Sequence, residues 1–185
     1  LAALETVLVT AMSREHMLRA VLAPYRSQYD YILIDCQPSL GLLTINAWTA
    51  ADEVLIVTTP QIFSSKGLEQ LFASIRRIQR HTNPALRVAG VLMTRFTDKV
   101  RINREVMEIT QQAYGPAIHI FNAKIPTSVK VDESHYMCMP ILTYDPKGKV
   151  AETYRDFCSE YLAMEAEKPQ KTNDDLNNGK KDGAI

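Results

Sequence analysis

Apolar positions recur along this chain in two rhythms. Leu4, Val7, Leu8, Met12, Met17, Leu18, Val21 and Leu22 fall at helical spacing. They predict a helix over 4–23, broken near Ser13, where Ser followed by Glu15 and His16 can cap a restart, and ended by Pro24. The next run, YDYILID at 29–35, is short, apolar and closed by an acid, the pattern of a strand buried on both faces. A helix is expected over 42–51, a second buried strand (EVLIVT) over 53–58, and an amphipathic helix over 64–81 with Leu68, Leu71, Phe72, Ile75 and Ile78 on one face. Asn83-Pro84 breaks that helix.

The alternation continues: a strand over 87–94 (RVAGVLMT), a helix over 100–114 stopped by Gly115-Pro116, and a short strand over 117–121. A turn or short helix follows over 126–134, then a last helix over 149–166. Residues 167–185 hold almost no aromatic or branched aliphatic side chains and are expected to be a disordered tail. Alternating strands and helices predict an α/β fold, with a parallel β-sheet flanked by helices in one domain over 1–166. Ligands of such sheets bind at the carboxyl ends of the strands, which directs attention to 35–41, 58–65 and 94–101.

Composition changes this picture little. The formal net charge is zero and 46% of residues are hydrophobic, ordinary for a globular protein. The distribution of charge is less even. Over 76–104 there are eight basic residues (Arg76, Arg77, Arg80, Arg87, Arg95, Lys99, Arg101, Arg104) against Asp98 alone. That is a local positive field, or otherwise a solvated helix face with its loop. The cysteines Cys36, Cys138 and Cys158 form no CxxC and no ligand spacing with the histidines, which argues against zinc and fits a reducing compartment. No apolar run is long enough to span a bilayer. Trp48, Phe72 and Phe157 are expected in the core.

An acid closing an apolar strand, as Asp35 does, is the pattern of a Walker B aspartate, which binds magnesium directly or through water. Asp also opens turns and caps helices, so ILID alone leaves both readings open. The continuation is more specific. IDCQPSLGLLTINAW (34–48) resembles the switch segment of ParA/Soj-type partition ATPases, with Pro38-Ser39-Leu40-Gly41 in step and Gln37 where that family has a first proline. AADEVLIVTTPQIFSSKGLEQL, GVLMTRF and the closing block IPTSVKVDESHYMCMPILTYDPKGKVAETYRDF resemble the rest of the family's domain in one register over about 1–165.

The resemblance implies ATP and Mg2+ as cofactors, with Asp35 catalytic and at the metal. It implies that Thr94, Arg95 and Phe96 flank the nucleotide from one side, and Pro126 and Thr127 from the other. It places Lys99, Arg101 and Lys130 in a surface that binds nonspecific DNA. It further implies a homodimer, a ParB-like centromere-binding partner, no membrane, and a cytoplasmic, nucleoid-associated ATPase of plasmid or chromosome partitioning. The family's glycine-rich, lysine-bearing phosphate loop is not found in these 185 residues. The chain, which begins at Leu1, is therefore expected to be the carboxyl-terminal part of a longer protein and inactive alone. The alternative is a non-catalytic DNA-binding adaptor related to the family. A membrane-associated division ATPase is disfavoured, because the tail has no apolar face.

Overall fold

The computed structural model describes residues 8, 10–37, 39–60 and 64–167. The chain divides into two compact units, Leu1–Phe121 and Asn122–Ile185.

The first unit opens with a 3-10 turn (Arg14–His16), helix α1 (Met17–Leu22) and a second 3-10 turn (Ala23–Tyr25) that contains Pro24. The break expected near Ser13 is present, made by a left-handed backbone (φ 50°) rather than by a side-chain cap. Residues 4–7 and 9 of the expected helix lie outside the described residues. Helix α2 (Leu42–Ala50) follows, then strand β1 (Glu53–Thr58), helix α3 (Ser64–His81), strand β2 (Arg87–Phe96) and helix α4 (Arg101–Tyr114). Gly115 after α4 is right-handed (φ −53°), so the helix ends in a turn, with Ala117 and Ile118 donating to the Tyr114 carbonyl, and not in a left-handed glycine cap.

Strand β3 (Ile120–Pro126) starts and ends later than the sequence rhythm suggests. Pro126 masks it from a propensity reading, yet at the last strand position its missing N–H matters little. In the second unit, α5 (Val129–Tyr136) is capped by Ser128, whose Oγ accepts from the Lys130 amide at 3.2 Å. The short α6 (Ile141–Tyr144) and the long α7 (Lys149–Glu167) complete it. Of the expected tail, 167–185, Glu167 ends α7 and residues 168–185 lie outside the described residues.

The sheet has order β1-β2-β3, with β1 and β2 parallel. The α/β class with a parallel sheet flanked by helices is therefore correct. Val54 pairs with Val88 and Leu55 with Gly90, so one residue of β2 bulges out of the ladder. Gly90 is required there: a Cβ would stand 2.6 Å from Cε2 of Phe121 and 2.8 Å from the His119 carbonyl. Val91 packs in one core cluster with β1 residues Val54 and Ile56 and with Leu68, Phe72, Ile75 and Ile78 of α3, and Leu92, Met93 and Phe121 are almost wholly buried as well. Trp48 and Phe72 are core residues as expected, whereas Phe157 is only half-buried.

Two expectations need correction. The segment 29–35 is no strand: among the described residues it pairs with nothing in the sheet. A strand needs a ladder partner, and among the described residues none lies beside it. Tyr29, Tyr31 and Leu33 are consequently exposed, Leu33 to 92%, while Ile34 packs against the core. Strand β1, expected to be buried on both faces, alternates: Val54 and Ile56 point into the core and Leu55 and Val57 are exposed.

Candidate functional site

The loops at the carboxyl ends of the strands are held by side-chain hydrogen bonds to backbone carbonyls. Thr94 Oγ1 at the end of β2 donates to the Thr58 carbonyl at the end of β1 (3.2 Å), tying the two strand ends together. Arg95 follows in the left-handed region (φ 52°), an uncommon conformation for a residue with a Cβ, and its side chain is exposed. Phe96 turns back inward and is 3% exposed, so its ring belongs to the core. Of the three residues expected to flank a nucleotide here, Thr94 and Arg95 reach the surface and Phe96 does not. Pro126 ends β3 half-buried, and Thr127 is exposed just beyond it, both in the second unit.

The turn over 97–100 is braced from the first turns of α4. Asn103 Nδ2 donates to the Thr97 carbonyl (3.1 Å) and Arg104 Nη1 to the Asp98 carbonyl (3.0 Å). Lys99 stands exposed on this turn. Arg101 opens α4 with its side chain 86% exposed and its Nε 2.6 Å from Glu105. Arg104, counted by sequence among the basic patch, is engaged in holding the loop, and Arg87 pairs with Glu53 at 3.0 Å. Arg76, Arg77 and Arg80 are exposed on α3. Lys130 lies in the second unit, its Nζ 2.8 Å from Glu133.

Asp35 is exposed at the end of the unpaired segment. No group of three His, Cys, Asp or Glu side chains among the described residues is placed to hold a metal ion. A single carboxylate fits magnesium, a hard cation that keeps several waters and is commonly bound through one or two carboxylates and the phosphates of its substrate. The thiol of adjacent Cys36 is pushed up, first by loss of solvent and then by the Asp35 charge, which leaves it a poor nucleophile.

Both ends of the Asp35 segment are anchored. Arg26 Nη2 spans the Asp52 carboxylate at 2.7 and 2.8 Å, and its Nη1 reaches the Ala50 carbonyl. Thr44 Oγ1 donates to the Ser39 carbonyl at 2.6 Å, and Gly41 stands at the N-terminus of α2. Buried Asn46 donates to the Arg14 and Leu42 carbonyls and accepts from the Leu18 amide, which locks the helices before the segment to α2 after it. Buried Asn83 likewise bonds the Trp48 and Ala51 carbonyls. Such buried amides leave no periodic signal in a sequence; Asn46 is marked only by its polar identity inside an apolar helix, and Asn83 lies in the connection after α3. Pro38 lies outside the described residues.

Comparison with known proteins follows the same line. A family model described as an AAA domain matches residues 1–88. The chain is 38% identical over 163 residues to the sporulation initiation inhibitor protein Soj of Bacillus subtilis, which covers 88% of this chain and 64% of that protein. It is 39% identical over 150 residues to the chromosome partitioning protein ParA of Myxococcus xanthus, covering 81% of this chain and 52% of that one. The chain thus spans about half to two thirds of the length of these relatives. Among solved structures, cobyrinic acid a,c-diamide synthase from Mycobacterium smegmatis with bound ATP analogue and magnesium superposes with a TM-score of 0.74 at 28% identity, covering 90% of this chain and 60% of that one. The Pyrococcus furiosus cell division ATPase MinD shares the fold at a TM-score of 0.63 and 22% identity, covering 81% of this chain and 59% of that one. Among the described residues no helix is long and apolar enough to cross a membrane. The parallel sheet, the motif register from 34 to 157 and the relatives that share it agree, and the chain belongs to the ParA/Soj family of P-loop ATPases.

Proposed function

We propose that this chain is part of an ATPase of plasmid or chromosome partitioning. The observation that carries the reading is the similarity to Soj and ParA proteins over more than four fifths of the chain. In the complete protein, ATP and Mg2+ bind at the carboxyl ends of the strands. Asp35 holds the metal, Thr94 and Arg95 with Pro126 and Thr127 flank the nucleotide, and the phosphate loop that these 185 residues do not contain grips the phosphates. Magnesium, when bound, neutralises charge that develops on the transferring phosphoryl group. The ATP-bound homodimer holds duplex DNA without reading its sequence, through Lys99, Arg101 and Lys130, because cations on phosphates fix position and carry no base information. A ParB-like protein at the centromere stimulates hydrolysis and releases the DNA, and the enzyme returns to the nucleoid when it binds ATP again.

The bracing of the 97–100 turn supports the DNA surface: Asn103 and Arg104 hold its carbonyls while Lys99 is left to solvent. The test is Mg2+-dependent ATP turnover by the complete protein and its Asp35→Ala variant. The variant is expected to fall by at least a hundredfold while remaining folded. Undiminished turnover removes Asp35 from the metal site. If the complete wild-type protein neither binds nor hydrolyses ATP, yet binds duplex DNA, the chain belongs to a DNA-binding adaptor.

A further inference from the structure

Lys130 does not stand free in the second unit. Its Nζ lies 2.8 Å from Oε2 of Glu133, one helical turn along α5. The same Oε2 accepts a second hydrogen bond, at 2.9 Å, from Oη of Tyr144, which closes α6. The ammonium also lies 5.8 Å from the centroid of the Tyr144 ring. Each group answers to the others. The Glu133 carboxyl is held below its ordinary range, first by Lys130 and then by Tyr144, and the Lys130 ammonium is held above its own, chiefly by Glu133. Lys130 and Glu133 remain substantially open to water, so the pair is weak and exchangeable.

Arg101 and Glu105 form a comparable in-helix pair, with both partners on α4. Glu133 differs because Tyr144 comes from another helix. When a phosphate oxygen takes the ammonium, the carboxylate keeps its bond to the Tyr144 hydroxyl and is not left without a donor. Lys130 itself is fixed at the start of α5, where its amide donates to the Ser128 cap.

We infer that Glu133 competes with the DNA phosphate for Lys130, holding this end of the DNA surface at reduced affinity until a phosphate takes the ammonium and leaves the carboxylate to Tyr144 alone. The inference rests on the DNA-binding reading above. It makes weak, readily reversed attachment a property of the α5–α6 pair, and it assigns Glu133 and Tyr144 positioning roles.

The test is binding of random-sequence duplex DNA by the complete protein across a salt series, in a cycle of wild type, Glu133→Gln, Lys130→Gln and the double variant. Gln is close in size and still accepts from Tyr144. Glu133→Gln is expected to tighten binding about two- to fivefold at low salt, an advantage that shrinks as salt rises. In the Lys130→Gln background the same change has little effect. Tyr144→Phe keeps the ring and removes the alternative donor, and weakens binding. Equal tightening in both lysine backgrounds reflects bulk charge and overturns the inference, as does no tightening in wild type. If Lys130→Gln itself leaves affinity unchanged, Lys130 is not in the DNA surface and the inference falls with that reading. If Lys130→Gln weakens binding but Glu133→Gln does not tighten it, the surface stands and only the competitor role is lost.

Discussion

Strand β2 and the segment 29–35 are both rich in apolar residues, and they sit very differently in the molecule. β2 runs between β1 and β3, with Val91, Leu92 and Met93 shut off from solvent. The segment 29–35 is fastened at both ends, by Arg26 to Asp52 and by Thr44 to Ser39, and its middle has no ladder partner among the described residues. Tyr29, Tyr31 and Leu33 therefore face water, whereas Val91 of β2 packs in the core with α3. Local composition sets what a stretch of chain is able to do. Ladder partners on either side decide whether it does so, because a buried backbone needs its hydrogen bonds met and burial of side chains needs a second surface.

The comparison can be broken at either end. The largest effect is expected from Phe121→Ala: the ring is wholly buried against Gly90 and the edge of His119, and its removal should cost about 3–5 kcal/mol in chemical denaturation. A loss under about 1 kcal/mol means that the β2 core is looser than its burial implies. At the other end, Leu33→Ser should change stability by less than about 0.5 kcal/mol, since the side chain is 92% exposed. A large loss there means that 29–35 is buried against something in solution, and the contrast with β2 disappears.

The other two sheet edges differ in a related way. The amides of Asn122 and Ala123 in β3, with the Asn122 side chain, donate to the Glu160 carboxylate of α7 at 3.0–3.3 Å. A charged group satisfying these N–H groups discourages further pairing at that place. β1 ends the sheet on the other side, with Leu55 and Val57 exposed.

Much of this was legible in the sequence. The bounds of β1 and α3 follow from apolar rhythm alone, because β1 alternates with a core that wants Val54 and Ile56, and α3 carries a single unbroken stripe. The rhythm fails where tertiary pairing overrides it: 29–35 lacks partners, and β3 extends through Lys124 to Pro126 because its neighbours, not its composition, define it. The site was legible in part. Motif register marks Asp35, Thr94, Lys99 and Lys130, all of which reach the surface or its edge. Burial of Phe96, bracing by Asn103 and Arg104, and the capture of Lys130 by Glu133 depend on side chains meeting in space, and no spacing encodes them.

The measurement that bears most directly on the central claim is equilibrium binding of random-sequence duplex DNA by the complete protein, in Mg-ATP and in Mg-ADP, with Lys99→Glu/Lys130→Glu alongside. The account predicts tight, steeply salt-dependent binding in ATP, little in ADP, and at least a tenfold loss in the double variant with ATP binding intact. Binding that ignores the nucleotide, or that survives both charge reversals at low salt, contradicts it.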